Sequence, residues 1–193
     1  MITDISQLDP NGTYTYADYL KWQFEEWVEL LEGRYRVFNK PGKSPRHQEI
    51  TGSIGLELTK QVCQPRYDSW YVPLPVILGH HSAGESLNLV IPDVFVIDKE
   101  SPNVADDTGW RGTPMFVVEV ADKRTGAIDT TVKFDLYQRY GVSEYWIVQL
   151  QAQNVHVYTL EDGKYALVDI YESGDIPSRI FPELTIAHER IFR

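Results

Sequence analysis

Two carboxylates interrupt apolar runs that otherwise read as buried strands: Asp93 in Leu89-Val90-Ile91-Pro92-Asp93-Val94-Phe95-Val96, and Glu119 in Met115-Phe116-Val117-Val118-Glu119-Val120. An ionisable group in such a run carries a desolvation penalty that a partner, a metal or a function must offset. Two carboxylates on neighbouring strands suit Mg²⁺, a hard cation that takes oxygen ligands and shares its site with water and substrate phosphate. The same pattern fits two solvated strand ends, or one carboxylate paired with an arginine. A third carboxylate, Glu29, interrupts Trp27-Val28-Glu29-Leu30-Leu31, where strand alternation by itself favours the wet side of a hairpin.

Lys133 has Asp129 four residues before it and Tyr137 four after, which places all three on one helix face. An ammonium there could stabilise charge on a phosphate or orient a water, but on spacing alone an exposed lysine paired with Asp129 is the favoured reading. Lys123 competes for the same role. Along an extended chain its α-carbon would stand about 13 Å from that of Glu119, a long reach for one active centre.

The segment Lys40-Pro41-Gly42-Lys43-Ser44-Pro45-Arg46-His47 gathers three basic residues and a histidine at a predicted helix start. Unpaired N–H groups and the helix dipole favour anions there, so Lys43, Arg46 and His47 are candidate phosphate contacts; a solvated loop fits as well. His80-His81 cannot both face one way in a strand and has no nearby carboxylate at ligand spacing, which speaks against a transition-metal site. Serine and cysteine nucleophile motifs, phosphate-binding glycine loops and dinucleotide fingerprints are absent.

The elements that must position these residues can be read in order. Thr15 caps a helix expected to run through Glu26, and Trp27–Leu31 with Tyr35–Phe38 form a hairpin about Glu32-Gly33. Ser44-Pro45 starts a second helix, ending near Cys63, whose apolar stripe is Ile50, Ile54, Leu58 and Val62. Residues Trp70–Leu78 and Leu87–Ile97 read as two strands, the prolines bending the first. Met115–Val120, a helix over Thr125–Tyr140 stopped by Gly141, and Glu144–Leu150 predict a parallel strand–helix–strand crossover. Val155–Leu160 and Tyr165–Tyr171 close a last hairpin across Glu161-Asp162-Gly163.

These elements belong to 193 residues, 42% hydrophobic and 24% charged. That composition excludes disordered, collagenous and coiled-coil chains and predicts one domain over residues 1–193, with its core over about 14–160. The formal charge of −10 disfavours a broadly basic grip on a polyanion, yet a local basic cleft, or a metal bridging carboxylates to phosphate, survives a negative total. A single cysteine, Cys63, with no basic-plus-apolar leader and no long apolar stretch, predicts a cytoplasmic protein with no membrane partner. Five Trp and twelve Tyr supply interface material for a homo-oligomer.

Taken in order, Glu29, Ser44-Pro45-Arg46-His47-Gln48, Pro92-Asp93, Phe116-Val117-Val118-Glu119-Val120, Lys133 and Tyr137, and Gly141-Val142-Ser143-Glu144-Tyr145-Trp146-Ile147-Val148 resemble the Uma-type restriction endonucleases. These are a branch of the PD-(D/E)XK nuclease superfamily common in cyanobacteria. The resemblance runs from about Tyr14 to the C-terminus. It implies an α/β, restriction-endonuclease-like fold: a central mixed β-sheet flanked by helices, with additional β-hairpins. It also implies an endonuclease hydrolysing phosphodiester bonds, DNA first among nucleic acids, with Mg²⁺ as cofactor and Mn²⁺ as a substitute. Asp93, Glu119 and the Val120 carbonyl would hold the metal. Lys133 would stabilise charge, Glu29 would be the N-terminal acidic residue, and Lys43, Arg46, His47 and Tyr137 would meet the substrate. The superfamily lysine normally stands two residues after the glutamate, where this chain has Ala121, so its role would move to Lys133. Asp122-Lys123-Arg124-Thr125 replaces the Ser-Pro-Ser-Thr type stretch common after the glutamate, and Ile91 replaces the polar residue often found before Pro-Asp. The alternative is a nuclease fold kept without its chemistry, as an oligomeric interaction module.

Overall fold

Proline and glycine placement decides where the strands break. The computed structural model describes residues 1–38, 44–71, 73–79, 84–101, 104–106, 109–122 and 126–193. Lys43, Lys123 and the His80-His81 pair lie outside those residues. The chain divides into two compact units.

Unit one comprises Met1–Ser44, Leu74–Ile91 and Asn103–Thr113. It holds α1 (Tyr16–Tyr19), β1 (Trp27–Leu31) and β2 (Arg34–Phe38). A six-stranded sheet in the order β2-β1-β5-β4-β8-β7 is completed by β4 (Val76–Ile77), β5 (Leu89–Val90), β7 (Val104–Asp106) and β8 (Gly109–Arg111). The expected hairpin is present, with Leu30 opposite Tyr35 and Glu32 and Gly33 both at positive φ in the turn. Thr15 caps α1 as expected, in a full capping box with Asp18, but the helix stops at Tyr19, well short of Glu26. Leu20 still has helical backbone angles, yet the Gln23 amide turns away to bond the Ile2 carbonyl at 2.7 Å. Leu30, Ile77, Leu89, Ile91 and Tyr16 form the unit's core.

Unit two comprises Pro45–Pro73, Pro92–Pro102 and Pro114–Arg193. Helix α2 spans Pro45–Gln61, and the strands of the main sheet are β3 (Tyr67–Trp70), β6 (Val94–Asp98), β9 (Phe116–Ala121), β10 (Glu144–Gln149), β11 (Asn154–Glu161) and β12 (Lys164–Tyr171). Their order is β12-β11-β10-β9-β6-β3. β9 and β10 run parallel and the other neighbours antiparallel, so the sheet is mixed, as the crossover predicts. Ile50, Ile54 and Leu58 of α2, with Val62 just after it, are fully buried against Val94, Val96, Phe116, Val118, Val120, Trp146 and Val148. A small pair, β13 (Asp175–Pro177) and β14 (Thr185–Ala187), and α5 (His188–Ile191) complete the C-terminal part.

Three expected elements are corrected. Residues Trp70–Leu78 are not one strand: β3 and β4 belong to different sheets, divided by a stretch that contains Pro73 and Pro75. Leu87–Ile97 likewise divides at Ile91-Pro92-Asp93 into β5 and β6, because a proline cannot donate to a ladder. The Thr125–Tyr140 helix is two pieces, α3 (Gly126–Asp129) and α4 (Val132–Tyr140). There the hydroxyl of Thr130 bonds the Gly126 carbonyl at 2.7 Å and that of Thr131 bonds the Ala127 carbonyl, competing with the regular helical bonds. The break turns the helix, so the buried face of α4 is Lys133, Leu136 and Tyr137, with Val132 exposed instead of continuing a stripe from Ile128.

β12 is an outer strand of the sheet. Its Tyr165 amide donates to Gln138 Oε1 at 2.8 Å and its Ile170 amide to Asp169 Oδ1 at 2.8 Å.

Candidate active site

The C-terminal end of β9 is where unit two concentrates buried charge. Val118 pairs with Val94 as the last register pair of β9 and β6, and Glu119 and Asp93 flank that pair on adjacent chain segments. Both are buried, at 3% and 5% exposure. The antiparallel pairing of β6 with β9 thus sets Asp93 and Glu119, the two residues that the apolar runs single out, on adjacent segments.

Asp93 sits between Pro92 and the start of β6 at Val94, and its side chain takes the place of a strand neighbour beside Val120. Its Oδ2 accepts the Val120 amide at 2.8 Å, while Oδ1 lies 3.0 Å from His47 Nε2 on the first turn of α2. Ala121 gives its carbonyl to Leu150, beside β10. Since alternate residues of a strand bond to opposite neighbours, Val120 turns both its N–H and its carbonyl toward the Asp93 side. The carbonyl expected among the metal ligands therefore shares an edge with Asp93.

Glu119 belongs to the opposite face of β9 from Val118 and Val120, the face that meets α4. Its Oε1 accepts both the Lys133 ammonium at 2.9 Å and the Tyr137 hydroxyl at 2.7 Å. No described residue bonds its Oε2. Lys133 is 2% exposed and also stands 4.0 Å from Asp129 Oδ1, so the exposed-lysine reading favoured on spacing is overturned. The i,i+4 spacing places Lys133 on one face with Asp129 and Tyr137, and all three are buried; what the spacing does not tell is that this face is turned inward.

The remaining candidates divide between the two units, Glu29 in unit one and Arg46 and His47 in unit two. Glu29, expected on the wet side of its hairpin, is completely buried in unit one, where Oε1 accepts the Ile91 amide at 2.9 Å and Arg36 lies 3.9 Å from Oε2. β1 is an inner strand of its sheet, paired with β5 on the side away from β2, and the Glu29 side chain reaches the Ile91 amide just past β5. Arg46 is half-exposed and pairs with Glu49 at 3.5 Å, whereas His47, one residue on, is buried.

Asp129 is the charged neighbour of this group that sequence reasoning treated only as a surface partner for Lys133. The signal was present in the four-residue spacing. Glu144, read from sequence only as part of a strand and a motif, is fully buried, and its carboxylate accepts the Trp146 indole N–H, the Ser178 hydroxyl and the amides of Arg179 and Ile180, all within 2.6–3.0 Å. Among the described residues no three His, Cys, Asp or Glu side chains gather closely enough to hold a metal by themselves.

The family model described as "Uma2: Putative restriction endonuclease" matches residues 16–189. The chain belongs to this family. Uma2 membership makes it a member of a nuclease family, as the ordered motifs imply. A solved structure of the same fold comes from Anabaena variabilis ATCC 29413, a putative nuclease belonging to DUF820. It is 18% identical, with a TM-score of 0.69 over 92% of this chain and 97% of that one. The mixed α/β fold with helices flanking the sheet is therefore the one expected. No curated protein matches the sequence. No helix among the described residues is long and apolar enough to cross a membrane.

Proposed function

We propose that this Uma2 protein is a PD-(D/E)XK-type endonuclease that hydrolyses phosphodiester bonds of DNA with Mg²⁺, Mn²⁺ serving as a substitute. The observation that carries this reading is the pair of buried carboxylates on adjacent chain segments, Asp93 just before β6 at 5% and Glu119 on β9 at 3% exposure, with the Lys133 ammonium 2.9 Å from Glu119 Oε1. Burying carboxylates is costly, and a divalent cation is one partner that offsets the cost. Asp93, Glu119 and the Val120 carbonyl offer hard oxygen donors only, which fits Mg²⁺. Asp93 and Glu119 would hold such an ion only in part, leaving room for water and substrate phosphate, the usual habit of Mg²⁺.

When bound, the ion acts as a Lewis acid and lowers the pKa of a water that attacks phosphorus. Lys133 holds a positive charge beside Glu119, where it can stabilise negative charge growing on the phosphoryl oxygens. Tyr137 fixes Glu119 through the same oxygen, which leaves Oε2 for the cation. His47 orients Asp93 from α2. Arg46, at the exposed start of that helix, is placed for a substrate phosphate.

The test is cleavage of supercoiled plasmid, single-stranded DNA and RNA in Mg²⁺, Mn²⁺ or EDTA by wild type and by Asp93→Ala, Lys133→Ala and Glu29→Gln. Metal-dependent cutting of DNA that falls by about 10³-fold or more in Asp93→Ala and Lys133→Ala is the expected result. A second reading, the interaction module, is favoured by one observation: both oxygens of Asp93 already accept or share bonds inside the protein. Wild type that neither cuts any substrate nor gains melting temperature with millimolar Mg²⁺ would support that module and defeat the nuclease.

A further inference from the structure

We propose that Asp129 is a positioning residue that holds the Lys133 ammonium in place for the phosphodiester chemistry; the inference rests on the nuclease reading above. Asp129 is the last residue of α3, immediately before the Thr130-Thr131 break. In an unbroken helix its carbonyl would accept the amide of Lys133; here it accepts the Tyr145 hydroxyl at 3.0 Å. Tyr145 lies on β10, packed edge-on against Tyr137 with ring centroids 5.1 Å apart. The sheet itself therefore fixes the backbone of Asp129. Its carboxylate is 2% exposed and 4.0 Å from Lys133 Nζ, while Glu119 Oε1 lies 2.9 Å from the same nitrogen.

The Asp129 carboxylate pulls the ammonium against the pull of Glu119. Losing the Asp129 charge would let Lys133 settle closer to Glu119, in stronger competition with a cation for that carboxylate and further from the phosphoryl oxygens. On a helix surface an i,i+4 pair of this kind is a minor stabiliser, and two apolar side chains of similar volume would pack here at no greater cost. Burying the pair beside Glu119 points to a role in holding charge, not in holding the helix.

The experiment compares wild type with Asp129→Asn, Asp129→Glu and Tyr145→Phe, measuring kcat and KM for plasmid cleavage in Mn²⁺, melting temperature in EDTA, and the Mn²⁺ midpoint of thermal stabilisation. Asp129→Asn should melt in EDTA close to wild type and keep KM within about twofold. Its kcat should fall about 10- to 100-fold, with Asp129→Glu recovering part of the loss. Its Mn²⁺ midpoint should rise about fivefold or more. A kcat for folded Asp129→Asn within about twofold of wild type overturns the proposal. Should that variant not fold, Tyr145→Phe decides: a kcat lowered about threefold or more at unchanged melting temperature supports positioning, and an unchanged kcat overturns it. If wild type binds Mn²⁺ but cuts nothing, the nuclease reading fails and the Mn²⁺ midpoints remain; equal midpoints overturn the role of Asp129 as well. If wild type shows no Mn²⁺ stabilisation, both readings fall.

Discussion

Glu144 shows what one buried charge can do for a fold when it is fully satisfied. Its four donors come from β10 itself and from residues 178–180, so a single carboxylate ties the C-terminal segment to the sheet. Glu144→Gln keeps the shape but presents an amide N–H₂ to donors. We expect a loss of about 2–4 kcal/mol in urea unfolding, with an unchanged m-value. His156 gives the opposite sign of effect. Partial burial holds its pKa below the ordinary histidine value, so the unfolded chain takes up the proton first as pH falls. Stability from this site is complete above about pH 6.5 and declines below it. A melting-temperature series from pH 8 to 5 should fall less steeply in His156→Gln than in wild type; parallel curves would refute the assignment. At this scale the sequence was partly legible. Asp93 and Glu119 announced themselves as charges in apolar runs, whereas Glu29 and Lys133 misled, because each is held by a partner far along the chain, the Ile91 amide and the Glu119 carboxylate.

At the scale of elements, α2 carries two glycines with different reasons for being there. A methyl group on Gly52 would meet nothing within 4 Å, while one on Gly55 would stand 2.3 Å from Tyr71 Cγ and 2.6 Å from its Cβ. Gly52→Ala should therefore stabilise by about 0.5–1 kcal/mol through helix propensity. Gly55→Ala should destabilise by about 1–3 kcal/mol, because the near end of the tyrosine must move. Denaturant midpoints of the two variants, shifting in opposite directions, check the pair. Long periodic elements such as α2 and the β11–β12 hairpin could be read from sequence nearly to the residue. The elements that could not are those whose ends depend on partners far along the chain: α1, closed early by the Ile2 carbonyl, and the proline-split strands, which leave one sheet for another.

Over the whole molecule, the chain alternates between the two units in six stretches, so neither unit is a contiguous piece that could be cut free. We expect the chain to unfold as one domain. Trp22, Trp27 and Trp110 report on unit one and Trp70 and Trp146 on unit two. Fluorescence of variants that keep only one set should give the same urea midpoint as far-UV circular dichroism; separated midpoints would show two independent folding units. The formal charge of −10 adds a second expectation at this scale: if the proposed function holds, the grip on DNA is local, and cutting should depend on added salt less steeply than in a nuclease with a broadly basic face.

The outer margin of β12 carries a consequence for how the protein behaves in a crowded solution. Leu167 and Ile170 on that strand are 50% and 41% exposed, a pattern that invites another chain to continue the sheet. Two of the amides such a chain would need are already occupied by Gln138 and Asp169. The strand is sticky in its side chains yet closed in its backbone. Releasing both amides by Gln138→Ala and Asp169→Ala should turn this margin into a template for fibrils, an outcome that thioflavin fluorescence at high protein concentration would reveal.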